Sequence, residues 1–286
     1  MAEHLLEMAK ALVRVKDGKI EVLSDPKILS CPLRKDLYGI EEESRDTVER
    51  VLAEHIALMG MYSPERVLGM EDKTVSFGAS EILADGMASG IVDSAAVACE
   101  GAGTVIIARP EVLLAVGSHM TGLLKTEPIL EIQRGLEERG CLLLDAIASI
   151  DQQAGFQKAV TAGFRRIGVT VAGAAAPQAV MMREMGRQLG VEPAILAVHT
   201  TGISADEAAI LAESCDLIWS CASKAAREVA GRQAKLQMGI SIPVFAMTDR
   251  GKQLLLNRAA HYPGTLVMHR ASLPLVPGGK QPQPQI

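Results

Sequence analysis

The chain has 286 residues, 48% of them hydrophobic and only 3% aromatic, so any core must be built mainly from Val, Ile, Leu, Ala and Met. A net charge of −5 and a pI near 5.8 exclude the basic footprint of a nucleic-acid binder, and no apolar run approaches the ~20 residues of a membrane span. The start carries no basic-then-apolar leader, and five cysteines at 31, 99, 141, 215 and 221 make no disulfide framework, which fits a reducing cytoplasm.

Asp17-Gly18 tolerates positive φ at both central positions of a tight turn, so residues 12–15 and 19–23 are expected as an N-terminal β-hairpin. Residues 3–11 ahead of it read as a helix-like start. Pro32 holds Cys31 on an extended segment. Val48, Val51, Leu52, Ile56 and Met59 fall at helical spacing and predict an amphipathic helix over 44–59. Residues 74–77 read as a short strand broken by Gly78, and a helix over 80–89 ends at Gly90. Strands are expected over 91–98 and 105–108, on either side of Cys99-Glu100-Gly101-Ala102-Gly103-Thr104. A helix over 110–116 follows, then an exposed loop over 117–128 whose His119, Lys125 and Thr126 could reach a ligand. A helix from 129 to Gly140 and a strand over 141–145 complete this half.

From Asp151 onward the pattern is regular. Helices over 152–163, 177–189 and 204–214 alternate with strands over 167–171, 194–198 and 216–220, each unit long enough for a βαβ crossover. Pro177 suits a first helical turn, and Ser204 with Glu207 has capping-box spacing. A helix over 222–231, a strand over 242–246 with Pro243 at its start, a helix over 249–260 and a strand over 265–268 are expected next. The fold class is therefore α/β, with a mainly parallel sheet, helices on both faces and the N-terminal hairpin. Ser76-Phe77-Gly78-Ala79-Ser80-Glu81 and Trp219-Ser220-Cys221-Ala222-Ser223-Lys224 share Ala-Ser-charge at a strand-to-helix turn, which leaves two related halves open. The expected division is 1–40 hairpin and loop, 41–145 first half, 146–272 second, Rossmann-like half, and 273–286 a disordered Pro-rich tail.

Ligands of parallel α/β sheets sit beyond the carboxyl ends of strands. Cys221 falls at such an end, where a helix N-terminus and Lys224 would both favour a thiolate; the bland alternative is a small residue filling a turn. His199-Thr200-Thr201-Gly202 reaches the same edge, so Cys221, Lys224 and His199 are the catalytic candidates, weighed against Thr caps and a loop-bonded histidine. Gly101, Gly103 and Thr104 could present N–H groups to an anion or simply make a tight turn, and Gly78, Ser80, Thr200, Thr201 and Ser223 complete the cofactor-binding candidates. Cys31, Cys99 and Cys221 all precede turns and could converge on an iron–sulfur cluster or zinc, although no CxxC pair anchors one. Asp145, Asp151 and Gln152 read as a helix-capping cluster, and Cys215, Ile218 and Trp219 as packing residues.

Taken together and in order, Cys31-Pro32-Leu33, Tyr38-Gly39-Ile40-Glu41-Glu42, the 76–83 and 99–105 stretches, His199-Thr200-Thr201-Gly202-Ile203 and Cys221-Ala222-Ser223-Lys224 resemble the eighth of the methanogenesis marker proteins over roughly residues 10 to 270. That family is a domain of unknown function of archaea and some anaerobic bacteria. The resemblance implies an anaerobic cytoplasm and a tie to one-carbon metabolism, through maturation or activation of a metalloenzyme. The leading expectation is thus an accessory factor or enzyme that binds a small anionic ligand or a metal cofactor at a Cys/Gly-rich cleft. The alternative is a non-catalytic protein-binding or assembly factor with an apolar patch on the 44–59 helix. Cofactor identity and homo-oligomerisation stay open.

Overall fold

A computed structural model describes residues 2–119 and 122–286. The chain starts as three antiparallel strands, β1 (Glu3–Met8), β2 (Ala11–Lys16) and β3 (Lys19–Val22). The turn between β2 and β3 puts Asp17 at φ 53° and Gly18 at φ 72°, the left-handed pair that the Asp-Gly sequence predicts. The helix-like start is corrected to β1: Leu6 and Met8 alternate with less buried residues and bury one face only, a period of two. After α1 (Pro32–Tyr38), α2 (Arg45–Met59) starts from a capping box between Ser44 and Thr47 and packs Val48, Val51 and Leu52 on the small sheet's Leu6, Val13 and Val15.

The chain then runs α3 (Ala79–Ala88), β4 (Ser94–Cys99), β5 (Gly103–Ile107), α4 (Pro110–Gly117) and β6 (Gly122–Thr126). No strand forms at 74–77. Part of the expected 117–128 loop is β6, which pairs with the outer side of β1 and extends the small sheet to the order β3-β2-β1-β6. Its Lys125 and Leu124 point to water, which is why its composition reads as loop. Residues 120 and 121 of that expected loop lie outside the described residues.

Next come α5 (Leu130–Glu138), β7 (Leu142–Leu143), α6 (Gln152–Thr161), β8 (Ile167–Ala172), α7 (Ala176–Leu189), β9 (Ala194–Val198), α8 (Ala205–Ser214) and β10 (Leu217–Trp219). A π-helical turn, Ala226–Ala230, leads into α9 (Gly231–Gln233), β11 (Leu236–Met238), β12 (Val244–Ala246) and α10 (Asp249–Ala260). The capping box expected at Ser204 and Glu207 starts α8. No strand forms at 265–268, where Val267 and Met268 are exposed.

The large sheet has the order β11-β12-β10-β9-β8-β4-β5-β7. Of its seven pairings three are parallel, β4 with β8, β8 with β9 and β9 with β10, and four are antiparallel. The expectation of a mainly parallel sheet is therefore corrected to a mixed sheet with a parallel centre. The three residues between β4 and β5 are too few for a parallel crossover, which needs a dozen or so, and force an antiparallel hairpin there. Helices cover both faces. In β4, Ala95 and Val97 face Leu83, Leu113 and Leu254 of α3, α4 and α10, while Ala96 faces the layer of Phe156 and Met182 from α6 and α7. Strands from both sides of residue 145 share this sheet through the β4–β8 pairing. The 273–286 segment, expected to be disordered, is tied down: Gln283 bridges Ser30, and the Ile286 N–H donates to the Ala222 carbonyl at 3.0 Å. Among the described residues no helix is long and apolar enough to cross a membrane.

Candidate functional site

The connection from β4 turns back through β5, whereas the connection from β8 crosses to β9, so helical traffic parts between β4 and β8. Such a switch point leaves a crevice beyond the carboxyl ends of the strands. A cleft of about 360 Å³ lies there, with Val97 and Ala98 of β4, Thr170 and Ala172 of β8, Val198 of β9 and Trp219 of β10 among its walls.

The start of α3 forms another wall. Gly78 is its N-cap, and a Cβ there would lie 2.1 Å from Glu81 Oε2, so only glycine lets the carboxylate fold back over the helix start. The Val75 N–H donates to Glu81 Oε1 at 3.1 Å. Burial pushes the Glu81 carboxyl above its usual range, with hydrogen bonds pulling the other way. The preceding loop is held by Arg258, which donates to the Ser76 carbonyl at 2.7 Å and to Asp85 at 2.9 Å, and by the Trp219 indole N–H on the Phe77 carbonyl at 2.9 Å. Trp219, read from the sequence as packing, therefore lines the cleft and fixes its rim.

His199 and Cys221 stand at the ends of neighbouring strands and both adopt left-handed backbone, φ 52° and 36°. For non-glycine residues this conformation costs energy and persists only where the surroundings enforce it. Here they do. The Thr200 hydroxyl donates to the Trp219 carbonyl, the Ala222 N–H donates to Thr201 Oγ1 at 3.2 Å, and Ser223 Oγ accepts from the Ala226 N–H at 3.1 Å. Thr200, Thr201 and Ser223 thus brace the two turns. Burial pushes the Cys221 thiol up, and backbone N–H groups of Thr200 and His199 with the Arg227 charge oppose it. His199 is open to solvent but has protein packed around it, which pushes its imidazole below the ordinary value, Glu7 opposing and Lys10 adding. What passes from His199 to Cys221 is a backbone N–H, so the two share a cleft without making an imidazole–thiol pair.

Gln152 closes the floor. Its amide donates to the Thr170 carbonyl at 2.8 Å and accepts from the Thr104 hydroxyl at 2.8 Å. Thr104 therefore acts behind the wall, and Gly101 and Gly103 shape the hairpin: an added Cβ would lie 2.9 Å from Ile129 and 2.3 Å from the Ala148 backbone.

Of the residues anticipated, Gly78, Ser80, His199 and Cys221 line the cleft. Lys224 does not; it sits on an outer face, 3.9 Å from Glu228. Leu33, two residues after Cys31, lines the cleft, and the Cys31 thiol is pushed up mainly by burial with a smaller contribution from Cys221, so these two cysteines are neighbours. Cys99 is fully buried, with its thiol on the Glu100 carbonyl at 3.3 Å and Arg66 and Cys141 close by. The expected convergence of Cys31, Cys99 and Cys221 is corrected accordingly: among the described residues no group of three or more His, Cys, Asp or Glu is placed to hold a metal. Glu81, Gln152, Thr170 and Trp219 are the cleft residues that sequence reasoning did not single out. Gln152 is the first residue of α6, directly after the N-cap Asp151, and that helix-start position was the available signal.

Fold and cleft together define an α/β protein with a ligand-sized crevice at the parallel centre of a mixed sheet. The chain belongs to a family described as an uncharacterized protein conserved in archaea, whose model matches residues 4–260. It is 32% identical over 288 residues to an uncharacterized protein of Methanocaldococcus jannaschii, with 100% of each chain covered.

Proposed function

We propose that this chain binds a small molecule in the switch-point cleft, as an accessory factor or enzyme of anaerobic one-carbon metabolism. The observation that carries the binding reading is the coincidence, at one strand edge, of the crevice with two strained residues, His199 and Cys221. The one-carbon setting comes from the resemblance of the motifs to the methanogenesis marker family. If the protein is catalytic, the Cys221 thiol is the nucleophile the cleft offers, with the N–H groups of Thr200 and His199 to receive its charge. The assembly alternative looks for an apolar patch away from the cleft, with α2 as its expected seat; Leu58 is the one large apolar side chain that α2 exposes, so α2 does not provide that patch.

Native mass spectrometry of protein purified without oxygen tests this, with Ala98→Phe filling the cleft. The expected result is a small molecule retained by the parent and lost from the variant. Identical spectra, with identical melting of both proteins in a metabolite extract, would remove the reading.

A further inference from the structure

The walls of the cleft restrict what it can hold. Leu33, Val75, Leu123, Ile150 and Val198 join Trp219 in an apolar lining, and no Lys or Arg is among the described residues that form it. The cations behind the walls are engaged elsewhere. Arg258 bonds Ser76 and Asp85, Lys10 bonds Glu7 at 3.0 Å, and the buried Arg227 donates to the carbonyls of Ser220 and Ser223, both at 3.0 Å.

The start of α3 would ordinarily be the seat for an anion. Here it is taken by the chain's own carboxylate, since Glu81 folds back against Gly78 and accepts from the Val75 N–H. An incoming anion would meet Glu81 at close range with no counter-charge in the wall. A neutral ligand still finds hydrogen-bonding partners, because Ser80, Thr170, His199 and Cys221 all reach the surface of the cleft.

We infer that the cleft takes an uncharged, mainly hydrocarbon molecule bearing one or two hydrogen-bonding groups, and not the anion that the glycine-rich turn at 101–103 suggested. This rests on the cleft being a ligand site, and it deepens that reading by naming the class. Burial also raises the Cys221 thiol and lowers the His199 imidazole, so both of these wall groups are biased toward their neutral forms.

Trp219 is the one tryptophan of the chain and stands in the wall, so its emission reports occupancy. The probes are cyclohexanol and cyclohexanecarboxylate, which share a ring and differ in charge, titrated at neutral pH. Cyclohexanol is expected to change the emission saturably, with the carboxylate weaker by about tenfold or more. Glu81→Gln should narrow that gap by strengthening the carboxylate alone. Ala172→Phe, at an exposed wall position that the fold tolerates, should abolish both signals. A carboxylate that binds as well as cyclohexanol, or better, overturns the class while leaving the site standing. Emission that neither probe changes in the parent, or that both probes still change as strongly in Ala172→Phe, overturns the site itself.

Discussion

Cys99 and Cys221 lie just at or beyond the carboxyl ends of two parallel strands, β4 and β10, and each precedes a turn. Their fates differ because the chain continues differently. After Cys99 it reverses through three residues into β5, so the hairpin seals the thiol against Glu100, Arg66 and Cys141. After Cys221 it turns through Ser223 into a helical segment, and the loop stays open to the cleft. The strand end alone does not make a site; the connection decides whether loops can gather around a ligand.

The sealed end depends on one ion pair. Arg66 and Glu100 are both wholly buried, and Arg66 also donates to the carbonyls of Ala115 and Val67. Arg66→Met leaves Glu100 charged and alone, and should cost about 3–5 kcal/mol in a denaturant titration. Adding Glu100→Leu should recover most of that loss, because the desolvated charge is then gone. Cyclohexanol binding in the cleft should be unaffected wherever the variants are folded.

Acid sharpens the comparison next. His55 is held down to about 4 by burial first, then by His119, Arg34 and Arg66, and His4 is held down to about 4 by burial against the opposing charges of Glu127 and Glu3. Both are neutral when folded and would take up a proton near 6.5 when unfolded. Their stabilisation is therefore complete above pH 6.5 and is lost as pH falls from 6.5 to about 4, by up to about 3 kcal/mol each. Urea midpoints at pH 7 and pH 5 measure it, and His55→Phe should flatten the dependence. A smaller contrast separates the thiols: N-ethylmaleimide should modify Cys221 in the folded protein and Cys99 only on global unfolding, read by mass spectrometry at low denaturant.

Much of this arrangement was legible because its signals are local. The Asp17-Gly18 turn, the Ser204 and Glu207 box and the three helix–strand units of the second half each lie within one short window, and the structure keeps them. Strands β1, β6 and β11 were missed or misread because they pack one face or end an edge, where tertiary pairing decides and composition says little. Within the site, Gly78, His199 and Cys221 were readable as residues after strands or before helices. Glu81, Gln152, Thr170 and Trp219 were not, since they read as turn, capping, strand and packing residues, and only the topology turns them toward a common crevice.

The smallest effect bears most directly on the open end. Cys221 holds φ at 36°, which costs a side-chain-bearing residue about 1–2 kcal/mol and a glycine almost nothing. Cys221→Gly relieves that strain but adds about 0.5–1 kcal/mol of unfolded-state entropy, so the net change should be a stabilisation of about 1 kcal/mol or less. Cys99 lies in a regular strand and carries no such strain, so Cys99→Gly should instead destabilise, through lost packing and a weakened strand. Opposite signs for the two substitutions in parallel thermal melts would mean that the fold spends stability to present Cys221. Equal losses would mean that Cys221 is packing like Cys99, and the two strand ends would then differ in shape alone.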